Sequence, residues 1–311
     1  MKNIKISVVV PVYGCPNALR ELHSRITKTI SRITKFYEII LVDDGCPKNS
    51  WYEIEKICIK DKKVTGIKLS RNFGQHHATN AGIEYSSGEY VILMDCDLQD
   101  RPEGIEKLYQ EIVKGYDVVF SKRKNRKDNR LTLWLSKMFY KIYNYFTNSK
   151  YDHEIGNYCI ATRKVVNEYL KIDDKNKIFI NYLTWMGFNT STIEIDSDER
   201  YDGKSSYTLG KKIDLAIEEI TSQSNKPLKM LIRIGLIIAF VGFAYLLVQL
   251  VKYFVTKDIN EGWTSIVALI LLLDGIIIIC LGGVGIYVGN VFTQTKGVPE
   301  YIVDKVINNH D

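Results

Sequence analysis

Paired cysteines, glycine-rich phosphate loops and low-complexity tracts are missing from this chain of 311 residues. None of its six cysteines forms a C-x-x-C pair, which excludes zinc ribbons and thioredoxin-type redox motifs. Their spacing indicates no disulfide framework, so we expect a reducing compartment. No G-x-G-x-x-G follows the first apolar run, and G-x-x-x-x-G-K-[ST] occurs nowhere. The sequence therefore gives no support for a dinucleotide-binding or P-loop protein.

A strong charge imbalance and a signal peptide are also missing. The 42 Lys and Arg against 36 Asp and Glu leave a formal net charge of +6, too small for us to expect a nucleic-acid partner. The N-terminus, MKNIKISVVVPVYG, lacks the layout of a signal peptide and is typical of a strand. A hydrophobic fraction of 46% and a charged fraction of 25% indicate a folded chain.

Long hydrophobic runs occur only near the C-terminus. Residues 234–255 contain Lys252 as their only charge, and residues 263–288 contain only Asp274. With a rise of about 1.5 Å per residue, each run is long enough to cross a hydrocarbon core of ~30 Å. We predict membrane helices over residues 231–256 and 263–289, an amphipathic juxtamembrane segment over 210–230 and a tail over 290–311. The alternative is a pair of buried core helices.

The positive charges around these runs predict an orientation. They lie mainly on the side of both termini, at Lys226, Lys229, Arg233, Lys296 and Lys305. We therefore expect a multi-pass protein of the inner (cytoplasmic) membrane, with the N-terminal domain and both termini in the cytoplasm. Asp274 falls in the middle of the second run, so we expect it to contact another helix within or between chains. A homo-oligomer is thus left open.

Residues 1–209 alternate between strand-like and helix-like patterns. We predict strands over 5–12, 37–43, 64–70, 90–95 and 117–121, and helices over 16–34, 50–60, 75–86 and 102–115. This alternation predicts an α/β domain whose parallel sheet is covered on both faces. In such a sheet ligands bind beyond the carboxyl ends of the strands.

The fourth predicted strand ends in a pair of carboxylates, Asp95 and Asp97. In an extended chain, residues two apart point to the same side, and two such charges repel unless a cation neutralises them. Mg²⁺ or Mn²⁺ prefers oxygen ligands, and Gln99 continues the series with an amide oxygen. The sequence therefore predicts a metal site. The alternative is a capped turn with solvated carboxylates.

Two other strand ends carry charged side chains. Asp43 and Asp44 end the second strand, where a carboxylate can accept hydrogen bonds from a base N–H or a ribose hydroxyl; the alternative is a simple Asp-Asp-Gly turn. The basic stretch 121–130 follows the fifth strand and contains Arg123, Arg126 and Arg130. Arginine offers two parallel N–H donors to phosphate oxygens, which favours phosphate binding over a solvated loop.

Seven blocks of the sequence resemble the membrane-anchored glycosyltransferases of family 2. They are VVVPVYG, VDDG, KLSRNFGQHHATNAG, VILMDCDLQDRPEGI, GYDVVFSKR, ERYDGKSSYTLGKKI and ITSQSNKPLK. The chain is most similar to bacterial polyprenyl-phosphate (undecaprenyl-phosphate) glycosyltransferases, which are relatives of dolichol-phosphate mannosyltransferase. The resemblance implies a GT-A fold, a Rossmann-like nucleotide-sugar-binding domain, followed by a two-helix transmembrane hairpin. It also implies metal-dependent, inverting transfer of a sugar from a nucleotide-diphosphate sugar to polyprenyl phosphate.

The resemblance assigns roles to individual residues. Asp95, Asp97 and Arg123 would be catalytic. The nucleotide sugar would be bound by Pro11, Tyr13, Asp43, Asp44 and Asp95; the metal by Asp95, Asp97 and Gln99; and the phosphates or acceptor by Arg123, Arg126, Arg130, Arg200 and Ser205.

The chain departs from the family pattern at Asn157, where many relatives carry an aspartate. Asn157 cannot act as a base. A phosphate monoester has a second pKa of about 6, so the acceptor is largely dianionic at neutral pH and needs no base. A processive polysaccharide synthase would show Q-x-x-R-W and more spans. An inactive scaffold subunit would not need the intact Asp95 and Asp97 pair.

Overall fold

The computed structural model describes residues 4–124, 138, 141, 144–146, 155–196, 198, 220–221, 224–256 and 262–308. These residues belong to two compact units. The first unit contains an eight-stranded sheet with its covering helices, and the second contains two long helices.

The first unit alternates strands and helices as the sequence predicts. Its elements are β1 (Ile6–Val12), α1 (Leu19–Ile30), β2 (Tyr37–Asp43), α2 (Ser50–Lys60), β3 (Val64–Leu69), α3 (Gln75–Glu84), β4 (Tyr90–Leu93), α4 (Gly104–Ile112), β5 (Val118–Lys124), β6 (Ile155–Thr162), α5 (Arg163–Leu170), α6 (Phe179–Trp185), β7 (Thr190–Asp196) and, after the second unit, β8 (Val303–Ile307). Every predicted strand and helix is present with small shifts at its ends, so the α/β class is confirmed.

The strand order is β7-β5-β6-β4-β1-β2-β3-β8. Strands β3, β2, β1 and β4 are parallel, but β6 runs antiparallel between β4 and β5, and β8 runs antiparallel to β3. The five predicted strands run in the same direction, as expected, but the sheet is mixed, because β6 and β8, which were not predicted, are antiparallel to their neighbours. Both strands pair with segments far away in the sequence, so no local pattern predicts them.

Helices cover both faces of the sheet, which explains why the strands are continuous apolar runs. All seven residues of β1 are buried. Val8 and Val10 pack into one core with α1, α2 and α4, whereas Val9 packs into the other core with α3, α5 and α6. The alternation along β1 thus divides its side chains between the two cores.

The C-terminal segment adds β8 to the free edge of β3. The side-chain amide of Asn308 donates hydrogen bonds to the carbonyls of Cys58, at 2.7 Å, and Val64, at 3.0 Å. Lys305 forms an ion pair of 2.7 Å with Glu55. The residues that follow the second long helix therefore belong to the first unit, and β8 shields the edge of its sheet.

The second unit contains α7 (Lys226–Thr256) and α8 (Trp263–Thr295), whose ranges include both predicted spans. The phenol of Tyr287 donates a 2.6 Å hydrogen bond to the carbonyl of Ser224. A Cβ added at Gly283 would lie 2.8 Å from Cδ1 of Leu231. Because the C-terminal half of α8 thus meets the start of α7, the two helices run antiparallel.

Only one stretch of the described residues, Leu273–Thr295 on α8, is long and apolar enough on its own to cross a membrane. It includes Asp274, whose side chain is exposed in the single chain. The helix contact expected for Asp274 stays a prediction, and most of the predicted juxtamembrane segment lies outside the described residues.

Candidate active site

The carboxyl ends of β1, β2, β3 and β4 meet at one edge of the sheet because these strands are parallel. Pro11 is buried near the end of β1, opposite Val42 of β2. The backbone of Val9 faces β4, since its carbonyl accepts from the N–H of Met94. The backbone of Pro11, two residues later, faces β4 in the same way, but β4 has already ended at that level. The missing N–H of the proline therefore removes no hydrogen bond between the strands. Tyr13 follows with 46% of its surface exposed.

Asp44 joins two loops of this edge. Its Oδ1 accepts a 2.7 Å hydrogen bond from the backbone N–H of Phe73, and its Oδ2 a 3.0 Å bond from that of Gly74. Gly45 has φ +60°, and a Cβ there would lie 2.5 Å from the carbonyl carbon of Arg71. Asp44 is 2% exposed. Burial raises the pKa of its carboxyl group, although the two N–H donors act in the opposite direction. Both carboxylate oxygens thus accept hydrogen bonds from the backbone of the other loop, so Asp44 anchors the two loops to each other.

Asp43 differs from its neighbour because one of its oxygens is open. The backbone N–H of Cys46 bonds the carboxylate, but Oδ1 is buried and has no hydrogen-bond partner among the described residues. Burial raises the pKa of Asp43 to about 6, opposed by that backbone bond and by the charge of Lys68. A buried acceptor of this kind is costly unless a donor reaches it. The geometry therefore fits a ligand N–H or hydroxyl at Asp43.

Residues 95–100, called the acidic loop below, follow β4. Asp95, Asp97 and Gln99 are partly exposed, whereas Cys96, Leu98 and Asp100 between them are buried. Burial therefore alternates along the loop, and the metal site stays a prediction. The loop forms a turn in which Oδ1 of Asp97 accepts a 3.1 Å hydrogen bond from the backbone N–H of Gln99. Leu98 lies in the left-handed region at φ 59°, a conformation that non-glycine residues adopt at a cost.

Two amides hold one oxygen of Asp95. Oδ1 accepts a 2.7 Å hydrogen bond from Nε2 of Gln75 and a longer one, 3.5 Å, from Nδ2 of Asn157. Gln75 begins α3 directly after Gly74, the residue that Asp44 anchors. Asp44 thus positions the start of α3, and Gln75 in turn positions Asp95. Sequence reasoning missed Gln75; its place directly after the SRNFG block was the available signal.

The donors of the acidic loop fit a hard divalent cation. Asp95, Asp97 and Gln99 offer partly exposed carboxylate and amide oxygens, the ligand type that Mg²⁺ and Mn²⁺ prefer. Among the described residues, no group of three or more His, Cys, Asp or Glu side chains is placed to hold a metal. A cation bound by two carboxylates and an amide keeps positions for water and substrate phosphate, as is usual for Mg²⁺ sites.

A salt bridge connects the acidic loop to the segment after β7. Arg101 donates from Nε and Nη2 to the two carboxylate oxygens of Asp198, at 2.8 and 2.5 Å. The backbone N–H of Asp198 also donates a 3.0 Å hydrogen bond to the carbonyl of Gln99. Asp198 therefore lies beside the acidic loop, and Arg200 and Ser205, which follow it in the sequence, lie outside the described residues. This pair was not predictable from local sequence, because its members are 97 residues apart.

The predicted phosphate-binding residues lie largely outside the described part of the chain. Arg123 lies on β5 opposite Ile195, because the strand continues beyond its predicted end to Lys124. The side chain of Arg123 falls outside the described residues, as do Arg126, Arg130, Arg200 and Ser205 entirely. The roles of all five stay predictions.

A disulfide bond joins Cys15, just after β1, to Cys96 in the acidic loop, with a Cα–Cα distance of 6.5 Å. The expectation that the chain has no disulfide is therefore wrong. The two residues are 81 positions apart, and they meet only because β1 and β4 are neighbouring parallel strands. Cys46, Cys58, Cys159 and Cys280 are free.

In an α/β sheet of this kind, ligands bind beyond the carboxyl ends of the parallel strands, where Asp43 and the acidic loop lie. The sequence model of Glycosyl transferase family 2 matches residues 7–170, more than half of the chain. The chain therefore belongs to glycosyltransferase family 2 and is a glycosyltransferase. The match includes every described site residue from Pro11 to Asn157.

Full-length relatives are found in bacteria and their prophages. The chain is 32% identical to an uncharacterized glycosyltransferase of Bacillus subtilis, over 98% of this chain and 94% of the relative. It is 31% identical to a prophage bactoprenol glucosyl transferase homolog of Escherichia coli, over 97% and 99%. Among solved structures, glucosyl-3-phosphoglycerate synthase of Mycobacterium tuberculosis matches with a TM-score of 0.49 and 17% identity, over 71% of this chain and 80% of that one.

Proposed function

We propose that this protein transfers a sugar from a nucleoside-diphosphate sugar to polyprenyl phosphate at the cytoplasmic face of the membrane. The product would be a polyprenyl-phosphate sugar for the assembly or modification of cell-envelope glycans. The acidic loop after β4, with three partly exposed oxygen-bearing side chains, and the carboxylate of Asp43 at the end of β2, whose Oδ1 has no partner among the described residues, carry the proposal. Similarity to bactoprenol glucosyl transferases over 97% of the chain supports the lipid acceptor.

The donor would lie across the carboxyl ends of β1, β2 and β4. Asp43 would accept a hydrogen bond from the nucleoside at its unpartnered Oδ1, and the half-exposed ring of Tyr13 would contact the base. Asp95, Asp97 and Gln99 would hold Mg²⁺ or Mn²⁺, which when bound neutralises negative charge on the leaving diphosphate. Gln75 would keep Asp95 in place for this role.

The acceptor phosphate supplies its own nucleophile. A phosphate oxygen attacks the anomeric carbon from the face opposite the diphosphate, so the carbon–oxygen bond to the diphosphate breaks as the new one forms, with inversion. Because a phosphate monoester is largely dianionic at neutral pH, no side chain has to remove a proton. Asn157, an amide that contacts Asp95, would serve in positioning. The predicted arginines, with Ser205, would offset the acceptor's charge.

The chain connectivity supports a membrane hairpin. The chain leaves the first unit before α7 and returns to it as β8, with only seven residues between the end of α8 at Thr295 and the start of β8 at Val303. Both free ends of the helix pair are thus joined to the same folded unit. If α7 and α8 both cross the bilayer, the catalytic unit and both termini lie on one side, and the flanking Lys and Arg residues favour the cytoplasm.

A product assay tests the proposal. Membranes containing the protein are incubated with polyprenyl phosphate, Mg²⁺ or Mn²⁺ and a panel of nucleotide sugars, and the lipid is identified by mass. We expect one sugar residue added to the lipid phosphate with one donor of the panel, and no product in EDTA. Donor hydrolysis without a lipid product, or a polymer of sugars, would contradict the proposed acceptor.

A further inference from the structure

The disulfide bond lies at the candidate site rather than deep in the fold. Cys15 stands two residues after Tyr13, and Cys96 stands between Asp95 and Asp97. Both cysteines are nearly inaccessible, at 2% and 7% exposure. The bond therefore ties the loop at the nucleotide end of the proposed donor site to the loop that would hold the cation.

The location of this bond favours a redox role. The catalytic unit is proposed to face the cytoplasm, where protein disulfides are usually transient and redox-sensing. A bond that forms and breaks in response to thiols fits this compartment and the position of the bond between the two loops of the proposed site.

The bond restrains the backbone that presents the cation donors. Cys96 is the buried residue between the two carboxylates, and its attachment to Cys15 fixes which side of the loop faces inward. Leu98, two residues on, has φ 59°, a left-handed conformation that is unfavourable for a non-glycine residue. Without the restraint, the acidic loop is freer to relax Leu98 and to lose the common orientation of Asp95 and Asp97.

We propose that Cys15 and Cys96 form a thiol-modification site that sets the affinity of the acidic loop for its divalent cation, tight when oxidised and weak when reduced. The proposal rests on the proposed function in one respect, the binding of a cation by this loop. The modifying reagents are a low-molecular-weight thiol as reductant and its disulfide as oxidant.

The chemistry of the switch balances in two exchanges. Because both cysteines are buried, exchange takes place when the two loops open locally. The thiolate of the small thiol then attacks one sulfur of the Cys15–Cys96 bond, forms a mixed disulfide and expels the other cysteine as a thiolate, which takes up a proton. A second small thiol attacks the mixed disulfide and releases the remaining cysteine as a thiol. Two electrons and two protons thus pass to the protein, and two small thiols become one disulfide. Oxidation is the reverse.

The experiment uses the purified full-length protein equilibrated in reduced or oxidised dithiothreitol. Free thiols are counted after denaturation by alkylation with a large maleimide, and Mn²⁺ binding is measured from the electron paramagnetic resonance signal of free Mn²⁺. We expect four free thiols when oxidised, the number of free cysteines in the structure, and all six when reduced. Reduction should weaken Mn²⁺ binding about tenfold, the order expected when a preorganised site loses a restraint.

Matched variants locate the effect. Cys15→Ser, which leaves the acidic loop sequence intact, should bind Mn²⁺ at the reduced level in both buffers, and Cys96→Ser should behave alike. Cys46→Ser, a free cysteine at the same edge, should keep the redox difference.

Three outcomes overturn the proposal: six free thiols in the oxidising buffer, equal Mn²⁺ affinity in both buffers, or loss of the redox difference in Cys46→Ser. Failure of the switch alone is distinguishable from failure of the proposed function. If only the switch fails, the oxidised and reduced proteins bind Mn²⁺ with equal affinity and the lipid product still forms. Absence of Mn²⁺ binding in both states would overturn the switch and the cation site together.

Discussion

Asp44 and Asp97 follow parallel strands at the same sheet edge, yet their surroundings differ. Asp44 is 2% exposed, and both of its oxygens accept backbone N–H bonds from another loop, at Phe73 and Gly74. Asp97 is partly exposed, and its Oδ1 accepts a 3.1 Å bond from the backbone N–H of Gln99 within its own turn. One carboxylate holds two loops together, and the other is proposed to bind the cation. A pair of acidic residues at a strand end can thus be an anchor or a ligand site.

The comparison gives different expectations for removing each charge. Loss of an anchor should destabilise the fold and lower activity only as a consequence. Loss of a ligand-facing carboxylate should lower activity while the fold keeps its stability. The variants below separate these two effects, from the largest change expected to the smallest.

Asp97→Asn should lower glycosyl transfer by about a hundredfold or more, because one of two negative ligands for the cation is lost. The melting temperature should stay close to that of the wild type, since Asp97 is partly exposed. Transfer rate and thermal unfolding are measured on the same preparation. Wild-type activity in the variant would remove Asp97 from the cation site.

Asp44→Ala should destabilise the first unit by about 2–4 kcal/mol, because the N–H groups of Phe73 and Gly74 lose their acceptor. Denaturant unfolding measures the change. Asp44→Asn keeps one acceptor oxygen and is the matched control, for which we expect a smaller loss. Unchanged stability in Asp44→Ala, combined with lost donor binding, would show that Asp44 is a ligand residue after all.

Asp43 predicts a pH dependence of stability. Burial raises its pKa from 3.8 to about 6, so the folded state binds the proton more tightly than the unfolded state. Its contribution to stability is therefore full below about pH 4 and is lost as the pH rises through about 6. Asp43→Asn cannot ionise, so its stability relative to the wild type should increase by about 1–3 kcal/mol between about pH 4 and pH 7.

Denaturant unfolding of both proteins across this pH range tests the prediction. A stability difference that does not change with pH would contradict the raised pKa. The unpartnered Oδ1 adds a second expectation: bound donor should reduce the pH dependence of the wild type, because a ligand hydrogen bond favours the ionised carboxylate.

The pair of Arg101 and Asp198 should have the smallest effect on stability, under about 1 kcal/mol, because both side chains are about two-fifths exposed. Asp198→Arg should instead reduce transfer, since Arg101 loses its partner and the reversed charge lies next to the acidic loop proposed to bind the cation. The double variant Arg101→Asp with Asp198→Arg should recover part of the loss. Equal activity in the single reversal and the wild type would show that the salt bridge positions nothing.

Much of this arrangement follows from local sequence patterns. The strand runs of β1 to β5 and the alternation of Asp95, Cys96, Asp97 and Leu98 depend on neighbours in the chain, so both were predictable. That the acidic strand ends lie at one edge was also predictable, because the carboxyl ends of parallel strands meet at the same edge of a sheet.

The remaining features depend on contacts between distant segments. β6 and β8 are inserted by antiparallel pairing, Gln75 reaches Asp95 across 20 residues, and Cys15 meets Cys96 across 81. The difference between Asp43 and Asp44 also depends on partners, since the loop that bonds Asp44 comes from the end of β3. Because these partners come from a distant loop, sequence patterns could not show that Asp44 is an anchor and that Asp43 has an oxygen without a partner.

Direct measurement of Mn²⁺ binding by the full-length protein in Asp97→Asn and Asp44→Asn tests the central claim most directly. The claim is that the acidic loop, and not the Asp43–Asp44 turn, holds the cation for sugar transfer. We predict that Asp97→Asn folds but loses Mn²⁺ binding, whereas the folded fraction of Asp44→Asn binds Mn²⁺ like the wild type. Wild-type Mn²⁺ affinity in Asp97→Asn, with or without loss in Asp44→Asn, would contradict the account.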